Sequence, residues 1–225
     1  MKVLLIEDEY AVSRSIALIL RGADIYVDMA AYGEEGVDIA RHFEYDAIIL
    51  DLGLPDMSGF EVLRTLRRAH VDTPVIILSG SVAVDTKVKA LNNGADDYMT
   101  KPFCNEELVG RLRALVRRSK GYSDSRITFG QMTLDIVAKT VETGGRRVPL
   151  SGKEYQILEL LSLRRGSAVS KETMINHIYS DGEGPDSPTI GLFVFRLRKK
   201  LAAASGGEHF IQTVRDQGYL MPRAA

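Results

Sequence analysis

The first 120 residues alternate short apolar runs with longer amphipathic segments. The apolar runs, at residues 3–6, 25–29, 47–50, 75–78 and 98–99, are short enough to be buried strands. In the segments between and after them, apolar residues recur three or four positions apart, as they do on one face of a helix. The recurring residues are Ile16 and Leu20; Val37 and Ala40; Val62, Leu63 and Leu66; Val88 and Leu91; and Leu108, Leu112 and Leu115 behind Asn105, a predicted N-cap.

Five strands that alternate with five helices predict an α/β fold, in which a parallel sheet is covered by helices on both faces. Sheets of this kind place their functional sites at the carboxyl ends of the strands. We therefore expect the chemistry of this half of the chain to come from the residues that directly follow each strand.

The pattern changes after residue 120. Residues 121–125 (GYSDS) predict a short linker, and residues 126–150 alternate as antiparallel strands do, with a hairpin turn at Gly144 and Gly145. Ser151 and Glu154 have the spacing of a capping box at the start of a helix. We therefore divide the chain into one domain at 1–120, a linker at 121–125 and a second domain at 126–225.

Two further helices and a terminal hairpin complete the second half. One helix is predicted to begin near Ser170. After a loop at residues 180–187, another begins with Ser187 as its cap and Pro188 at its first position, and ends near residue 203. Residues 209–221 predict a closing hairpin with Gln217 and Gly218 near its turn. Three helices flanked by small sheets predict an α+β winged-helix domain.

Composition agrees with two domains and narrows the cellular setting. At 225 residues the chain is long for one ordinary domain and suits two. Its single cysteine, Cys104, excludes an internal disulfide and a cysteine-based zinc site. The sequence shows no signal peptide and no apolar run of membrane-spanning length, so we expect a cytoplasmic protein with no membrane partner.

Carboxylates follow two strands that should be neighbours in the sheet. Glu7 and Asp8 follow the first strand, and Asp51 ends the third. Three carboxylates at one edge repel one another unless a cation lies between them, and an all-oxygen ligand set suits Mg²⁺. Ser79 ends the fourth strand and Lys101 follows the fifth. A hydroxyl and an ammonium group beside the metal would complete a site for a phosphoryl group on Asp51.

Four motifs in the first half, VLLIEDE, AIILDLGLPDMSGFE, VIILSG and GADDYMTKPF, carry these residues. Together they resemble the flavodoxin-like (βα)5 receiver domain of two-component response regulators, over residues 1 to about 118. The resemblance implies that Asp51 is the phosphoacceptor. It also implies that Mg²⁺ is held by Glu7, Asp8, Asp51 and the backbone carbonyl of Gly53.

The same resemblance implies roles for residues around the phosphoacceptor. Lys101 would contact the phosphoryl group, and its bond to Pro102 would be cis. Ser79 and Tyr98 would be a switch pair, in which Ser79 moves to the phosphoryl group and Tyr98 turns inward behind it. The phosphodonor would be a sensor histidine kinase or a histidine phosphotransfer protein.

The net charge of −1 is the sum of two unequal halves. Residues 1–120 contain 15 basic and 19 acidic residues, a net charge of −4, whereas residues 121–225 contain 14 and 11, a net charge of +3. The excess is concentrated on the third helix of the second half, at Arg196, Arg198, Lys199 and Lys200. An apolar stripe would pack this helix on its domain and leave cations exposed, as on a helix that enters a DNA major groove.

Three stretches of the second half, LSGKEYQILELLSLRRG, FRLRKKL and TVRDQGYLM, resemble the winged-helix output domain of the OmpR/PhoB subfamily over residues 126–221. The resemblance implies that the third helix addresses bases, while the hairpin contacts the DNA backbone or the minor groove. The predicted DNA-contacting residues are Thr189, Arg196, Arg198, Lys199, Thr213, Arg215 and Tyr219. The sequence departs from the subfamily at Gly191, Phe193 and Phe195, of which Phe195 could meet a thymine methyl group.

In the subfamily the receiver pairs with a second receiver through its fourth helix, fifth strand and fifth helix. The matching positions here are Lys87, Asp96, Asp97, Glu107, Arg111 and Arg118. The suggested pairs across the homodimer are Lys87 with Glu107 and Asp97 with Arg111. The alternative is that these charges form solvated or intramolecular pairs, each worth under about 1 kcal/mol.

These features indicate a response regulator rather than an enzyme, in which phosphorylation of Asp51 promotes dimerisation and binding to double-stranded DNA to control transcription. RNA polymerase is a further candidate partner. An enzyme that uses the acidic pocket is disfavoured, because no glycine-rich nucleotide loop or nucleophile–histidine arrangement is visible. The alternative left open is that the second half is a protein-interaction module that does not bind DNA.

Overall fold

The computed structural model describes residues 1–179 and 188–223. The chain divides into two compact units, Met1–Ser119 and Lys120–Ala225, which we call the N-terminal unit and the C-terminal unit. The loop predicted at residues 180–187, with its Ser187 cap, lies outside the described residues. No helix within the described ranges is long and apolar enough to cross a membrane.

The N-terminal unit contains the predicted parallel sheet, with strand order β2-β1-β3-β4-β5. Its strands are β1 (Lys2–Ile6), β2 (Tyr26–Ala30), β3 (Ala47–Leu50), β4 (Val75–Ser79) and β5 (Asp97–Thr100). The helices are α1 (Tyr10–Gly22), α2 (Gly33–His42), α3 (Gly59–Arg68), α4 (Val84–Asn92) and α5 (Asn105–Ser119). The central strands are almost wholly buried because helices cover both faces, which explains their unbroken apolar sequences.

Strand pairing brings the predicted site together. β1 and β3 are hydrogen-bonded neighbours, with Ile6 opposite Leu50. The residues that follow, Glu7 and Asp51, therefore leave the sheet at the same edge. β4 pairs with β3 on one side and β5 on the other, so the end of β4 lies at this edge too.

The fourth helix differs from its prediction. Val88 and Leu91, the expected core residues, are exposed, and Ala90 is the residue that α4 buries. Because α4 packs closely on β5 through a small side chain, its larger apolar side chains point outward. Val84, Val88 and Leu91 form one exposed stripe, which a periodicity argument cannot distinguish from a buried one.

The predicted start of the fifth helix was wrong by one residue. α5 begins at Asn105, so the N-cap position belongs to Cys104 rather than to Asn105. The Cys104 Sγ accepts a hydrogen bond from the Glu107 backbone N–H at 3.3 Å. The Cys104 thiol is therefore the N-cap acceptor, in place of the predicted Asn105 side chain.

The C-terminal unit has a four-stranded antiparallel sheet of order β6-β7-β8-β9, three helices and a hairpin. The elements are β6 (Arg126–Phe129), β7 (Met132–Asp135), β8 (Thr140–Thr143), β9 (Arg146–Arg147), α6 (Gly152–Leu163), α7 (Lys171–Ile178), α8 (Pro188–Ser205), β10 (Gln212–Val214) and β11 (Gly218–Leu220). Gly144 and Gly145 both have positive φ at the β8–β9 turn, which confirms the predicted hairpin. The Ser151–Glu154 capping box is also confirmed.

The terminal hairpin, β10–β11 with its turn at residues 215–217, is called the wing below. It is joined to the rest of the unit by reciprocal backbone hydrogen bonds between Val169 and Tyr219, of 2.8 and 3.0 Å. Gly218 has φ of 114°, and a Cβ there would overlap the Val169 carbonyl oxygen. Only glycine allows this close approach, so Gly218 fixes where the wing begins its return strand.

Candidate metal centre and nucleic-acid interface

Three carboxylates meet at the carboxyl edge of the parallel sheet, as predicted from the strand ends. Glu7, Asp8 and Asp51 each offer an oxygen, and these oxygens lie within 4.8 Å of one another. Glu7 is buried, Asp51 is partly buried and Asp8 is exposed. The buried Glu7 Oε1 has no hydrogen-bond partner in the described part of the chain. A buried oxygen without a donor needs a cation or water, so this donor set fits Mg²⁺.

Lys101 supplies the only positive charge that the described residues bring into contact with these acids. Its Nζ lies 2.6 Å from Glu7 Oε2 and 2.9 Å from Asp51 Oδ2. The peptide bond from Lys101 to Pro102 is cis, as predicted. The ammonium group therefore bridges the end of β1 and the end of β3.

Burial and charge act against each other on the pKa values of this pair. Burial raises the pKa of the Glu7 carboxyl, and the Asp51 charge adds to it, against the lowering effect of the Lys101 hydrogen bond. Burial alone would lower the pKa of Lys101, but its hydrogen bonds and charge interactions with Glu7 and Asp51 outweigh burial and raise it. Lys101 is thus firmly protonated at neutral pH.

The loop that follows Asp51 holds the carboxylate in place. The Leu52 backbone N–H donates to Asp51 Oδ1 at 2.6 Å, and the Gly53 N–H donates to the same oxygen at 3.4 Å. Asp51 Oδ2 is the oxygen that Lys101 contacts. The carboxylate is therefore oriented from two sides, while Gly53 itself is exposed beside it. A metal contact from the Gly53 carbonyl stays a prediction.

Sequence reasoning missed two residues that shape this loop. At Gly59 a Cβ would overlap the Asp51 carbonyl oxygen, so only glycine lets α3 start so close to the site. Asp56 accepts hydrogen bonds from the backbone N–H groups of Gly33 and Glu34, at 2.8 and 2.9 Å. These two donors lower the pKa of Asp56. The PDMSG run, with turn residues in close succession, was the available signal.

The predicted switch residues lie on β4 and β5. Ser79 is buried at the end of β4, and its Oγ accepts a hydrogen bond from the Ser81 N–H at 3.2 Å. Tyr98 is also buried, and its hydroxyl donates to the Ser81 carbonyl oxygen at 2.8 Å. The tyrosine ring thus already occupies the inward position and is tied to the same loop as Ser79. Their role as a switch pair stays a prediction.

Four of the six charged residues predicted for a dimer surface form ion pairs within the chain: Asp96, Asp97, Glu107 and Arg111. Arg111 lies 3.1 Å from Asp97 and 2.8 Å from Glu107, and these carboxylates raise its pKa. Asp96 contacts Arg67 at 3.0 Å. Lys87 and Arg118 are exposed. Lys87 lies on α4, which carries the exposed stripe, and α4 contacts β5, which carries Asp97, so this surface combines apolar and charged groups.

The four cations of α8 have different surroundings. Lys200 Nζ lies 2.7 Å from the buried carboxylate of Glu154. Arg198 donates to the Ile211 carbonyl oxygen at 3.1 Å and lies over a wing tyrosine. Arg196 and Lys199 are exposed and make no ion pair with residues that the structure describes. Two cations therefore stabilise the unit, and two project from it.

The wing places the remaining predicted contacts at different depths. Arg215 is almost fully exposed, and among the described residues it forms an ion pair with Asp216, at 3.7 Å. Thr213 is exposed, and its Oγ1 accepts a hydrogen bond from Arg198 at 2.9 Å. Tyr219 is buried beneath Arg198 and is the least accessible of the three wing residues. Thr189 is half-buried at the start of α8. Their contacts with DNA stay predictions.

Each half of the chain matches a known protein family. Residues 3–113 match the response regulator receiver domain. Residues 145–221 match the C-terminal domain of transcriptional regulatory proteins. The second match favours DNA binding over the alternative of a module that contacts only protein.

Full-length relatives agree with both matches. The cell cycle response regulators CtrA of Brucella ovis and Brucella abortus (strain 2308) are each 52% identical to this chain over 221 residues, which cover 98% of this chain and 95% of the relative. Four stretches, DTKVKAL, GADDYMTKPF, RRSKG and GKEYQILELLSLRRG, resemble CtrA by sequence inspection alone. The overall identity confirms that similarity.

Solved structures match the N-terminal unit. The receiver domain of Francisella response regulator 1452 is 34% identical, with a TM-score of 0.51 over 52% of this chain and 98% of that one. A response regulator of Chloroflexus aurantiacus is 31% identical, with a TM-score of 0.50 over the same shares. The chain therefore belongs to the OmpR/PhoB-type two-component response regulators, which join a receiver domain to a DNA-binding transcriptional regulatory domain.

Proposed function

We propose that phosphorylation of Asp51 controls how this regulator dimerises and binds DNA. The observation that carries the proposal is the position of Lys101, whose ammonium group contacts Asp51 Oδ2 and Glu7 Oε2 at the end of the sheet. An attacking carboxylate needs cations that neutralise the charge of the incoming phosphoryl oxygens. Lys101 already lies where it can supply one of them, and the phosphodonor is a histidine kinase or a histidine phosphotransfer protein.

The second cation would be Mg²⁺, held by Glu7, Asp8, Asp51 and the Gly53 carbonyl. When bound, it supplies positive charge to the phosphoryl oxygens and orients them for in-line transfer. The unpartnered Glu7 Oε1 supports this assignment, because it is buried beside the other acids. The chain's own residues would orient the Asp51 carboxylate, through the Leu52 N–H on one oxygen and Lys101 on the other, for attack on the phosphorus atom of the donor.

Phosphorylation would be transmitted through the loop after β4. A new anion on Asp51 attracts the Ser79 hydroxyl, which now accepts a hydrogen bond from the Ser81 N–H. Tyr98 is anchored to the carbonyl of that same Ser81. A move of Ser79 therefore pulls on a loop that leads directly into α4.

The output of this movement would be a receiver homodimer. The surface formed by α4, β5 and α5 carries both the exposed stripe Val84, Val88 and Leu91 and the Asp97–Arg111 pair. In a two-fold dimer Lys87 would reach the partner's acidic residues, and Arg111 would exchange Asp97 of its own chain for the partner's copy. Apolar burial would supply affinity, and the charges would set the register.

A dimer would place two copies of α8 and the wing on adjacent half-sites of duplex DNA, which raises avidity without new base contacts. Arg196, Lys199 and Arg215 are the exposed cations that would meet phosphates or bases. Thr189, Thr213, Tyr219 and Arg198 are the remaining proposed contacts. RNA polymerase is a proposed partner at the promoter, and the proposed compartment is the cytoplasm.

The test combines labelling, association state and DNA binding in the full chain. Asp51→Asn should abolish labelling by acetyl phosphate with Mg²⁺, because an amide cannot accept the phosphoryl group. Acetyl phosphate should shift the unchanged protein towards a dimer in analytical ultracentrifugation, and should tighten its binding to duplexes selected from a random pool. Neither change should occur in the variant.

Asp38→Asn is the matched control, because Asp38 is an exposed aspartate on α2, away from the edge of the sheet. It should label, dimerise and bind DNA as the unchanged protein does. Undiminished labelling of Asp51→Asn would remove Asp51 from its role. Labelling without any change in association or DNA affinity would remove the proposed coupling.

A further inference from the structure

One face of α8 combines large apolar side chains with cations. Leu192, Phe195, Arg196 and Lys199 are spaced at i, i+3, i+4 and i+7, so they lie on one side of the helix. Phe195 is 63% exposed and Leu192 is 47% exposed, whereas other aromatic residues of the C-terminal unit, such as Phe210 and Tyr155, are buried. This face is called the mixed face below.

The mixed face is not part of the core of its unit. The residues that pack α8 on the unit lie on the opposite side of the helix, and all four are buried: Ile190, Val194, Leu197 and Leu201. Phe195 makes no ring contact with another aromatic or with a cation among the described residues. Phe195 and Leu192 together form an exposed apolar patch, and such patches mark interaction sites.

The cations on the mixed face narrow the class of ligand. Arg196 and Lys199 are exposed and lie to the same side of Phe195 around the helix, so the ligand must offer negative charge beside an apolar group. The major groove of DNA does so, because phosphates border it and thymine presents a C5-methyl group inside it. The other base edges in the groove are polar and would leave a phenylalanine ring unsatisfied.

We propose that Phe195 is a specificity-determining residue that packs on a thymine methyl group of each DNA half-site, with Leu192 beside it. This inference rests on the proposed DNA-binding function and deepens it, since it names the base feature that α8 reads. Arg196 and Lys199 hold the helix in the groove through charge. Phe195 distinguishes thymine from the other bases by its methyl group.

The size of the expected effect follows from the area of one methyl group. The free energy gained by burying one methylene-sized group corresponds to an affinity change of about fourfold. The experiment uses the full chain and duplexes selected from a random pool, in which each thymine is replaced singly by deoxyuridine. This replacement removes only the methyl group and keeps every Watson–Crick hydrogen bond.

For the unchanged protein, one thymine position in each half-site should be sensitive, and deoxyuridine there should weaken binding about fourfold. Deoxyuridine at any other thymine of the duplex should have no effect. Phe195→Ala should bind the thymine duplex more weakly and should no longer distinguish thymine from uracil at that position. Its helical circular dichroism should be unchanged, because Phe195 is 63% exposed and does not belong to the buried stripe that packs α8 on its unit. Val137→Ala is the matched control, since Val137 is 64% exposed on a turn of the same unit, and it should keep the full uracil effect.

The outcomes separate this inference from the function on which it rests. If no duplex binds with a salt-dependent affinity, the proposed function fails and the mixed face serves a protein partner instead. If duplexes bind but no deoxyuridine position matters, Phe195 does not read a thymine methyl group. The same conclusion follows if Phe195→Ala retains the uracil effect of the unchanged protein.

Discussion

Charged groups converge in the N-terminal unit and are kept apart in the C-terminal unit. At the edge of the parallel sheet, Lys101 contacts two of the three clustered carboxylates, so one substitution disturbs the whole site. On α8, two cations are held by the domain and two project outward. In the first site the charges act together. On the second surface, neighbouring cations have different roles: Arg198 and Lys200 stabilise the unit, and Arg196 and Lys199 are exposed.

Lys101→Met should give the largest effect, because it breaks the converged site. Removing the ammonium group should slow labelling by acetyl phosphate roughly 100-fold, the cost of losing one charge-stabilising donor at a transition state. The same change should tighten Mg²⁺ binding, because the ammonium group no longer competes for Glu7 and Asp51. Labelling kinetics and a Mg²⁺ titration of the full chain would measure both effects.

Lys120→Met is a suitable control for Lys101→Met, because Lys120 is exposed and lies outside the N-terminal unit that holds the acidic site. It should change neither the labelling rate nor the Mg²⁺ affinity. Opposite signs of the two effects at Lys101 are the informative outcome. A variant that loses Mg²⁺ affinity together with labelling would show that Lys101 supports the acids structurally rather than competing with the cation.

The converged site was the part most open to sequence reasoning. Parallel strands end at a common edge, so Glu7, Asp51 and Ser79 could be brought together from their positions after apolar runs alone. The hairpin glycines Gly144 and Gly145 and the capping box at Ser151 followed from equally local rules. In each case the backbone decides the location, and the side chain has little freedom to change it.

The α8 surface was predictable only in part. The apolar stripe and the exposed cations were correct in outline, but the pairing of Lys200 with Glu154 depends on a residue 46 positions away. The outward stripe of α4 was missed for a related reason, because Val88 has the same spacing as a core residue and only packing around Ala90 decides its side. Long-range packing leaves no local signal in the sequence.

Arg196→Ala and Arg198→Ala test the separation of cations on α8. Arg196 is exposed and has no ion-pair partner among the described residues, so its loss should weaken DNA binding about tenfold and reduce the slope of log affinity against log salt by about 0.9. Arg198 is bonded to Ile211 and Thr213, so its loss should also reduce the hydrogen-exchange protection of the wing in the absence of DNA. Binding at several salt concentrations and hydrogen-exchange mass spectrometry would distinguish them.

Arg165→Ala offers a control for the loss of a C-terminal arginine, since Arg165 contacts Thr128 and two aromatic rings rather than the wing. It should leave the salt slope unchanged. If Arg196→Ala and Arg198→Ala alter the wing equally, or if both leave it protected, the division of α8 into held and projecting cations is wrong.

Lys200→Met should give the smallest effect, seen in stability rather than binding. Burial alone would raise the pKa of Glu154, but hydrogen bonds from Lys200 and Ser151 lower it below its usual value of 4.5. A carboxyl group with a lowered pKa in the folded state stabilises that state at neutral pH, and the stabilisation is lost as the pH falls through that lowered value. Because Lys200 is 40% exposed, solvent screening limits its loss to about 1 kcal/mol at pH 7.

The difference in unfolding free energy between the unchanged protein and Lys200→Met should therefore be largest at pH 7 and shrink as the pH falls below 4.5 towards the lowered pKa of folded Glu154. Urea unfolding followed on α6 peptides by pulsed hydrogen exchange, at a fixed labelling pH, would isolate the C-terminal unit. Lys199→Met should show no such difference, because Lys199 is the exposed neighbour without an acidic partner in the described structure. An equal loss for both lysines at both pH values would mean that α8 is stabilised by its helical charge pattern, and that the Lys200–Glu154 contact adds nothing to it.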